Sequence, residues 1–494
     1  MNVSERPTFD SHNPVTSQPI FTFPIQTAGD VQEVVSKAKL ASSAWRELGY
    51  GGRRKVLLAW ANSLTERIDE CAELISLETG KPVGDAKLEA VLAIGHLAWS
   101  ARNAETVLKT QQRRPGLLMA NMQAKVERSP LGVVGVIGPW NYPIFTPMGS
   151  ISYALAAGNT VVFKPSEYAP GVGTWIVKSF SEIAPCEGIL SIITGLGDTG
   201  RALCESEVNK VAFTGSAKTA KLVAAVCATR MTPVILECGG KDPVIVDEDA
   251  DIDRAAEYSL WSALSNAGQT CIGAERIYVH EKVAAHFTSV ILEQAKNILP
   301  GAPGTGNYGP ATMPKQLDVI EAHISDALTR GGKAILGGMK SIKPPFVEPV
   351  ILTGVPEDSI AMTEETFGPI IIINKVADME QAISLSNASS YGLAASVWSK
   401  RNGEKIASRL HCGMVAINST ISFAAVASVP FGGVKESGYG RIHGPEGLLE
   451  FTYSRTVVRA RFQLPISFTS FKRTKFADKL IVGLVKTLHG RSLG

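Results

Sequence analysis

A chain of 494 residues, 45% of them hydrophobic and 19% charged, can bury a large core, which excludes disorder as its dominant state. Against 46 acidic groups, 49 basic ones leave a net charge of +3, too small for a globally basic nucleic-acid binder. The 7 cysteines are scattered, with no CxxC pair and no Cys/His cluster at metal spacing, so neither a disulfide frame nor a metal site is expected. No stretch approaches the ~20 apolar residues that span a bilayer, and the N-terminus shows no signal-peptide pattern. A reducing, cytoplasmic location is expected. Single cores stop growing near ~250–300 residues, so the length calls for two or three domains.

The first twenty residues read as polar and turn-rich. The stretch 30–67 reads as mostly helix, interrupted near Gly49 to Gly52, because Val31, Val34, Val35, Ala38 and Ala41 recur at helical spacing. A further helix is expected over 85–107. Two short extended pieces around Pro115 and Gly116, within 111–128, read as a hairpin. From Gly132 short apolar strands alternate with helices. Strands are expected over 133–137, 160–163, 190–193, 210–213 and 233–237, with helices such as 171–183 and 218–228 between them. A second series follows: strands over 244–246, 275–279, 334–336, 371–375, 394–398 and 415–417, with helices over 283–297 and 314–330. Strands alternating with helices indicate βαβ units and parallel sheets, so the fold class is α/β. The crevice between two such halves is the expected ligand site.

Several loops carry candidate chemistry. Gly195, Gly197 and Gly200 form a GxGxxG turn, but no carboxylate follows about 20 positions later, as the dinucleotide fingerprint requires; a plain strand-to-helix turn is the alternative. Lys164 and Glu167 follow one strand and can hold ribose hydroxyls. Gly215 and Ser216 follow another and open a helix whose free N–H groups can receive a phosphate. Cys271, preceded by Gly268, Gln269 and Thr270 in a turn-forming stretch, is a candidate nucleophile. Glu237, at a strand end before Gly239 and Gly240, is a candidate general base.

Together these stretches resemble the NAD(P)-dependent aldehyde dehydrogenase superfamily of the non-phosphorylating, non-acylating type. The resemblance rests on seven segments in family order between about residues 12 and 460: the run from Gly138 to Pro143, Phe163 to Glu167, Phe213 to Ser216, Leu236 to Lys241, Gly268 to Cys271, Glu364 to Pro369, and Pro430 to Lys435. It implies a Rossmann-type cofactor domain (1–109 and 129–238), an α/β catalytic domain (239–454) and a bridging β hairpin (110–128 and 455–465) that joins subunits into a homodimer or homotetramer. It implies Cys271 as nucleophile, Glu237 as general base, and the Asn141 side chain with the Cys271 backbone N–H as oxyanion hole. Lys164 and Glu167 then match adenosine-ribose contacts, Trp140 and Ser216 pyrophosphate contacts beside Gly215, and Glu365 and Phe367 the nicotinamide-ribose side. The Gly197 loop falls near the adenine. Cys238 departs from the family, which more often has Leu there.

The reaction implied is oxidation of an aldehyde to its acid through a Cys271 thiohemiacetal and thioester, with hydrolysis favoured by the carboxylate at Glu237. NAD is expected as acceptor, with NADP the alternative, because Glu167 near a ribose 2′ position repels a 2′-phosphate. Tyr142 and Phe423 are expected to border the substrate. No Arg stands near Gly149, which favours an uncharged aliphatic or aromatic aldehyde. The chain as a whole, including the run from Arg441 to Gly447, resembles bacterial sequences labelled succinate-semialdehyde dehydrogenases, which makes that substrate the rival. A non-catalytic structural or binding protein on the same fold is the alternative of another class.

The basic excess is local. From Arg455 to Gly494 there are nine Lys or Arg and one Asp, a net +8, which leaves −5 on the rest of the chain. Within the tail 466–494, Phe476, Leu480, Ile481, Leu484, Val485 and Leu488 share a helical face beside lysines. That pattern suits peripheral contact with an anionic membrane surface, or packing within an oligomer.

Overall fold

A computed structural model describes residues 7–463 and 470–490 of the chain. The N-terminal residues 1–6, and positions 466–469 and 491–494 of the expected tail, lie outside the described residues. The chain divides into two compact units, one of residues 1–107 and 130–453, the other of 108–129 and 454–494.

The larger unit holds two extensive sheets. In the first, the strands run in the order Gly438–Tyr439, Val234–Glu237, Lys210–Thr214, Val133–Ile137, Thr160–Lys164 and Leu190–Ile192. The four pairings among the last five strands are parallel, and only the short Gly438–Tyr439 strand is antiparallel. In the second, the order is Lys333–Leu336, Val350–Thr353, Ile370–Val376, Ala274–His280, Asp242–Val246, Ala394–Trp398 and Met414–Ile417. Only its first pairing is antiparallel. The central strands Thr160–Lys164 and Asp242–Val246 are buried at every position. They read as unbroken apolar runs because helices cover both sheet faces, as parallel sheets require. Phe287, Ile291 and Leu260 from flanking helices fill one side of the second sheet.

Local signals fix the helices. The helix Ala28–Glu47 starts at Thr27 with a reciprocal capping box to Asp30. Ser216 caps Ala217–Ala228, and Asp251 caps Ile252–Leu264. The expected break at Gly49 to Gly52 is narrower than the sequence suggests: Gly49–Glu66 begins one residue after Leu48, so these glycines form its first turns.

Three elements differ from the sequence reading. The polar N-terminal stretch forms an antiparallel pair, Thr8–His12 with Pro19–Pro24, whose largely exposed pattern gives no apolar alternation to read. A helix, Ile68–Thr79, follows Arg67 directly, and the strand Val350–Thr353 joins the second sheet.

The smaller unit carries a three-stranded sheet in the order Thr452–Ala460, Met122–Pro130, Gln111–Arg113. Its antiparallel pairing of Gln111–Arg113 with Met122–Pro130 is the expected hairpin. The same unit contains the helix Lys475–His489. Among the described residues no helix is long and apolar enough to cross a membrane.

Candidate active site

The first sheet reverses its strand order at Val133–Ile137. From there the chain moves outward through Thr160–Lys164 and Leu190–Ile192, then returns to the other side at Lys210–Thr214. In an open parallel sheet the crevice at such a reversal, outside the carboxyl ends, receives ligands. The loop after Ile137 brings Pro139, Trp140, Asn141 and Tyr142 there. The loop after Thr214 brings Gly215 and Ser216, and Glu237 is the last residue of its strand. These residues border one cavity of about 310 Å³ together with Cys271, Glu365 and Phe367.

Cys271 is reached through an unusual backbone. Asn266, Ala267 and Gly268 all have positive φ, 53°, 58° and 73°. For residues with a Cβ this left-handed conformation costs of order 1–3 kcal/mol each, so neighbouring contacts must hold it. They do. Gln269 Nε2 donates to Asn266 O at 2.8 Å, and its Oε1 accepts from Thr312 N at 2.9 Å. Asn266 Nδ2 donates to Asn141 O at 3.1 Å, while Asn141 Nδ2 donates to Gln269 O at 2.9 Å. The turn before the cysteine and the loop bearing Asn141 therefore fix one another.

Two buried ion pairs support these loops. Lys81 pairs with Glu89, both wholly buried side chains. Lys81 Nζ also donates to Asn141 O at 2.9 Å and lies 3.9 Å from the Tyr142 ring centroid. Glu89 Oε1 accepts from Ile144 N and Phe145 N at 3.0 and 3.2 Å. Lys241 pairs with Glu275, and its Nζ donates to Thr366 Oγ1 at 2.9 Å. Glu275 accepts from the Thr366 and Phe367 backbone, which sets the loop bearing Glu365. Lys241 closes the segment from Leu236 to Lys241 that carries the family resemblance, whereas Lys81, Glu89 and Glu275 stand in no motif, and their contacts to the Asn141 and Thr366 loops join segments far apart in sequence.

The cavity is acidic. Glu237 is 3% exposed and neither carboxylate oxygen has a hydrogen-bond partner. Burial pushes its pKa well above the carboxylate range, with Arg441 opposing. Burial pushes Glu365 up to about 8, helped by the Glu275 charge. The Cys271 thiol is half-buried. Burial first, then Glu365, Asp242 and Glu237, push it far above its ordinary range, with one backbone N–H opposing. The charged side chains that act on this thiol are thus carboxylates, which disfavour the thiolate.

Lys164, Glu167 and Gly197 do not border this cavity. They lie further along the same carboxyl edge: Lys164 ends its strand, Glu167 follows it, and Gly197 begins the helix Gly197–Glu205. Lys164 is buried, donates to Pro165 O at 3.1 Å, and runs close to Gly200. Phe423 also stands outside the lining. Its ring lies 6.5 Å from that of Phe431, centroid to centroid, and Ile421, Ala424 and Phe431 form the wall instead. Tyr142 lines the cavity, with its hydroxyl 2.9 Å from Thr270 Oγ1.

Residues 2–457 match the family model described as Aldehyde dehydrogenase family. The chain belongs to the aldehyde dehydrogenase family. It is 36% identical to the 4,4'-diapolycopene aldehyde oxidase of Methylomonas sp., over 92% of this chain and 86% of that one. It is 34% identical to a Mycobacterium bovis protein bearing a provisional name as an NADP-dependent succinate-semialdehyde dehydrogenase, over 93% and 90%. Among solved structures, the NAD-dependent aldehyde dehydrogenase from Sinorhizobium meliloti superposes with a TM-score of 0.89 at 30% identity, covering 94% of this chain and 93% of that one. The chain is thus an oxidoreductase acting on the aldehyde group, on the fold that the sequence resemblance implied. Among the described residues no cluster of three or more His, Cys, Asp or Glu is arranged to hold a metal ion.

The acidic surround makes a direct prediction for this aldehyde dehydrogenase. Only the thiolate is nucleophilic, so a raised pKa leaves little reactive sulfur near neutrality, and reactivity grows as pH rises. Alkylation of Cys271 by iodoacetamide in the cofactor-free enzyme, followed by peptide mass spectrometry, should climb about tenfold per pH unit through about pH 9. A plateau at or below about pH 8 would contradict the electrostatics.

Proposed function

We propose that the enzyme oxidises an uncharged aldehyde to its carboxylic acid with NAD as preferred acceptor, using Cys271 as nucleophile, Glu237 as base, and Asn141 with the Cys271 backbone N–H as oxyanion donors. The observation that carries this reading is the convergence of these three side chains on one cavity with Trp140, Gly215, Ser216, Glu365 and Phe367.

The residues suit a dinucleotide. Gly239 lies so close to the Glu365 carboxylate that a Cβ would collide with it, so that carboxylate faces the crevice over bare backbone. Ser216 heads the helix Ala217–Ala228, whose first N–H groups suit a pyrophosphate. Lys164 and Glu167 are the groups for the adenosine ribose, Trp140 and Ser216 for the pyrophosphate, Glu365 and Phe367 for the nicotinamide side, and Gly197 for the adenine side. When bound, NAD takes up the hydride leaving the aldehyde carbon. Glu167, half-buried, disfavours the 2′-phosphate of NADP by like-charge repulsion.

Cys271 Sγ gives its proton to solvent water and forms the bond to the carbonyl carbon, whose C=O π pair moves onto oxygen. The negative charge then developing on oxygen is met by Asn141 Nδ2–H and the Cys271 N–H. Loss of one such donor costs about 2.7–4 kcal/mol of barrier. Once the thioester stands on Cys271, Glu237 takes a proton from water. The water oxygen bonds to the acyl carbon, the C–S bond breaks, and the acid leaves. The two unpartnered oxygens of Glu237 suit that task, since no protein donor competes for them.

The walls favour an uncharged substrate. Among the described residues Lys81 is the only cation lining the cavity, and it is engaged by Glu89; Asp85, Glu89, Glu237 and Glu365 are all acidic. A cation cannot simply be added at Gly149, where a Cβ would stand 2.5 Å from His443 Nε2. His443 and His96 stack at 3.8 Å behind that wall, and burial lowers the pKa of both, so neither supplies a positive charge. These features argue against succinate semialdehyde, the substrate in the name of the M. bovis relative. An absorbance assay for reduced nicotinamide should show higher kcat/KM for uncharged aldehydes than for succinate semialdehyde, and for NAD than for NADP. The reverse order on either axis would defeat that half of the proposal.

The enzyme is proposed to be a homodimer or homotetramer joined through the hairpin and the strand Thr452–Ala460. That strand is at the edge of its sheet and largely exposed, a template for pairing with a second copy. The helix Lys475–His489 is proposed to contact an anionic membrane surface: Phe476, Leu480, Val485 and Leu488 are exposed on it beside Lys475, Lys479 and Lys486. Sedimentation with phosphatidylserine vesicles should retain the full chain and release a form lacking 466–494. Equal binding by both forms would remove the membrane contact.

A further inference from the structure

A second cavity, of about 750 Å³, adjoins the one that holds Cys271. Asp85, Trp261 and Ser265 border both. Beyond them the second cavity continues along one face of the helix Ile252–Leu264, past Leu264, Leu260, Tyr258 and Glu257, towards Gln294 and Ile298 of the neighbouring segment. The helical rise puts Glu257 about 12 Å from Ser265, which covers about ten carbons of an extended alkyl chain at ordinary C–C bond lengths.

The first cavity must also admit the nicotinamide end of the cofactor, whose proposed contacts Gly215, Ser216, Glu365 and Phe367 share its walls. Little length is left there for substrate beyond the aldehyde and a short stem. Trp261 stands at the passage between Asp85 and Ser265, with Leu88 on the side of the first cavity and Tyr258 on the side of the second, and Leu88, Tyr258 and Trp261 are each 45% exposed. Large apolar side chains gathered at a cavity rim are the mark of a ligand groove rather than of ordinary surface. The charged groups at this passage, Asp85 and Glu257, are acidic and repel an anionic tail.

We infer that the substrate is a long-chain apolar aldehyde, with its carbonyl at Cys271 and its hydrocarbon stem running past Trp261 into the second cavity. This rests on the reading of Cys271 as the nucleophile, and the length of the stem is the added claim. Each methylene buried contributes about a fourfold gain in binding, so kcat/KM keeps rising with chain length for as long as the second cavity takes up carbon.

The test is a series of straight-chain alkanals from propanal to tetradecanal, each below its solubility limit, with NAD. The expected result is a rise in kcat/KM that continues past octanal by about fourfold per methylene. A plateau or fall beyond hexanal, with the shorter alkanals turned over, overturns the inference and leaves the aldehyde dehydrogenase reading intact; no turnover of any alkanal overturns both. In a second arm, Gln294→Trp places a ring in the second cavity, away from Cys271. The ratio of kcat/KM for dodecanal to that for propanal should then fall by at least about tenfold, and an unchanged ratio overturns the inference. Should that variant fail to fold, the chain-length series decides alone.

Discussion

The buried pairing of Lys81 with Glu89 is the constraint on which the candidate site depends. One side of the pair is spent on the Asn141 carbonyl, the other on the Ile144 and Phe145 amides, so a single ion pair fixes both ends of the loop after Val133–Ile137. That loop in turn bonds to Asn266 and Gln269 and holds three left-handed residues ahead of Cys271. Removing one partner would leave a lone charge in the interior, a loss of about 3–5 kcal/mol. The arrangement is therefore all-or-none: the strained approach to the thiol persists only while the pair is intact. Lys241 with Glu275 does the same for the loop bearing Glu365.

The second theme is electrostatic. The cavity gathers carboxylates around a sulfur, which keeps the resting thiol protonated. The cavity also offers no free cation to an aldehyde that carries its own carboxylate, since Lys81, the one cation among the described residues of its lining, is paired with Glu89. The open apolar rim at Leu88, Tyr258 and Trp261 points the same way.

Much of this was legible in the residues. The strands at 133–137, 160–163 and 210–213 fall within one residue of their observed ends, because buried parallel strands are continuous apolar runs. Glu237, at a strand end before two glycines, and Cys271, in a turn-forming stretch, stood out from the residues themselves, and the family resemblance added Asn141. What escaped did so for physical reasons. Thr8–His12 and Pro19–Pro24 pair with most of their side chains exposed and leave no periodic trace. Ile68–Thr79 abuts the preceding helix without a polar linker. Phe423 was expected to border the substrate, but Ile421, Ala424 and Phe431 line the cavity and Phe423 does not. Lys81, Glu89 and Glu275 act through long-range contacts that no local pattern encodes.

The central claim is that the acyl group passes through Cys271 and is released by Glu237. Intact-protein and peptide mass spectrometry of Glu237→Gln after incubation with NAD and an uncharged aldehyde tests it most directly. The account predicts accumulation of an acyl adduct on the peptide that contains Cys271, with one equivalent of NADH formed and little further turnover. Steady turnover by this variant at the wild-type rate, or an adduct on any other residue, would contradict it.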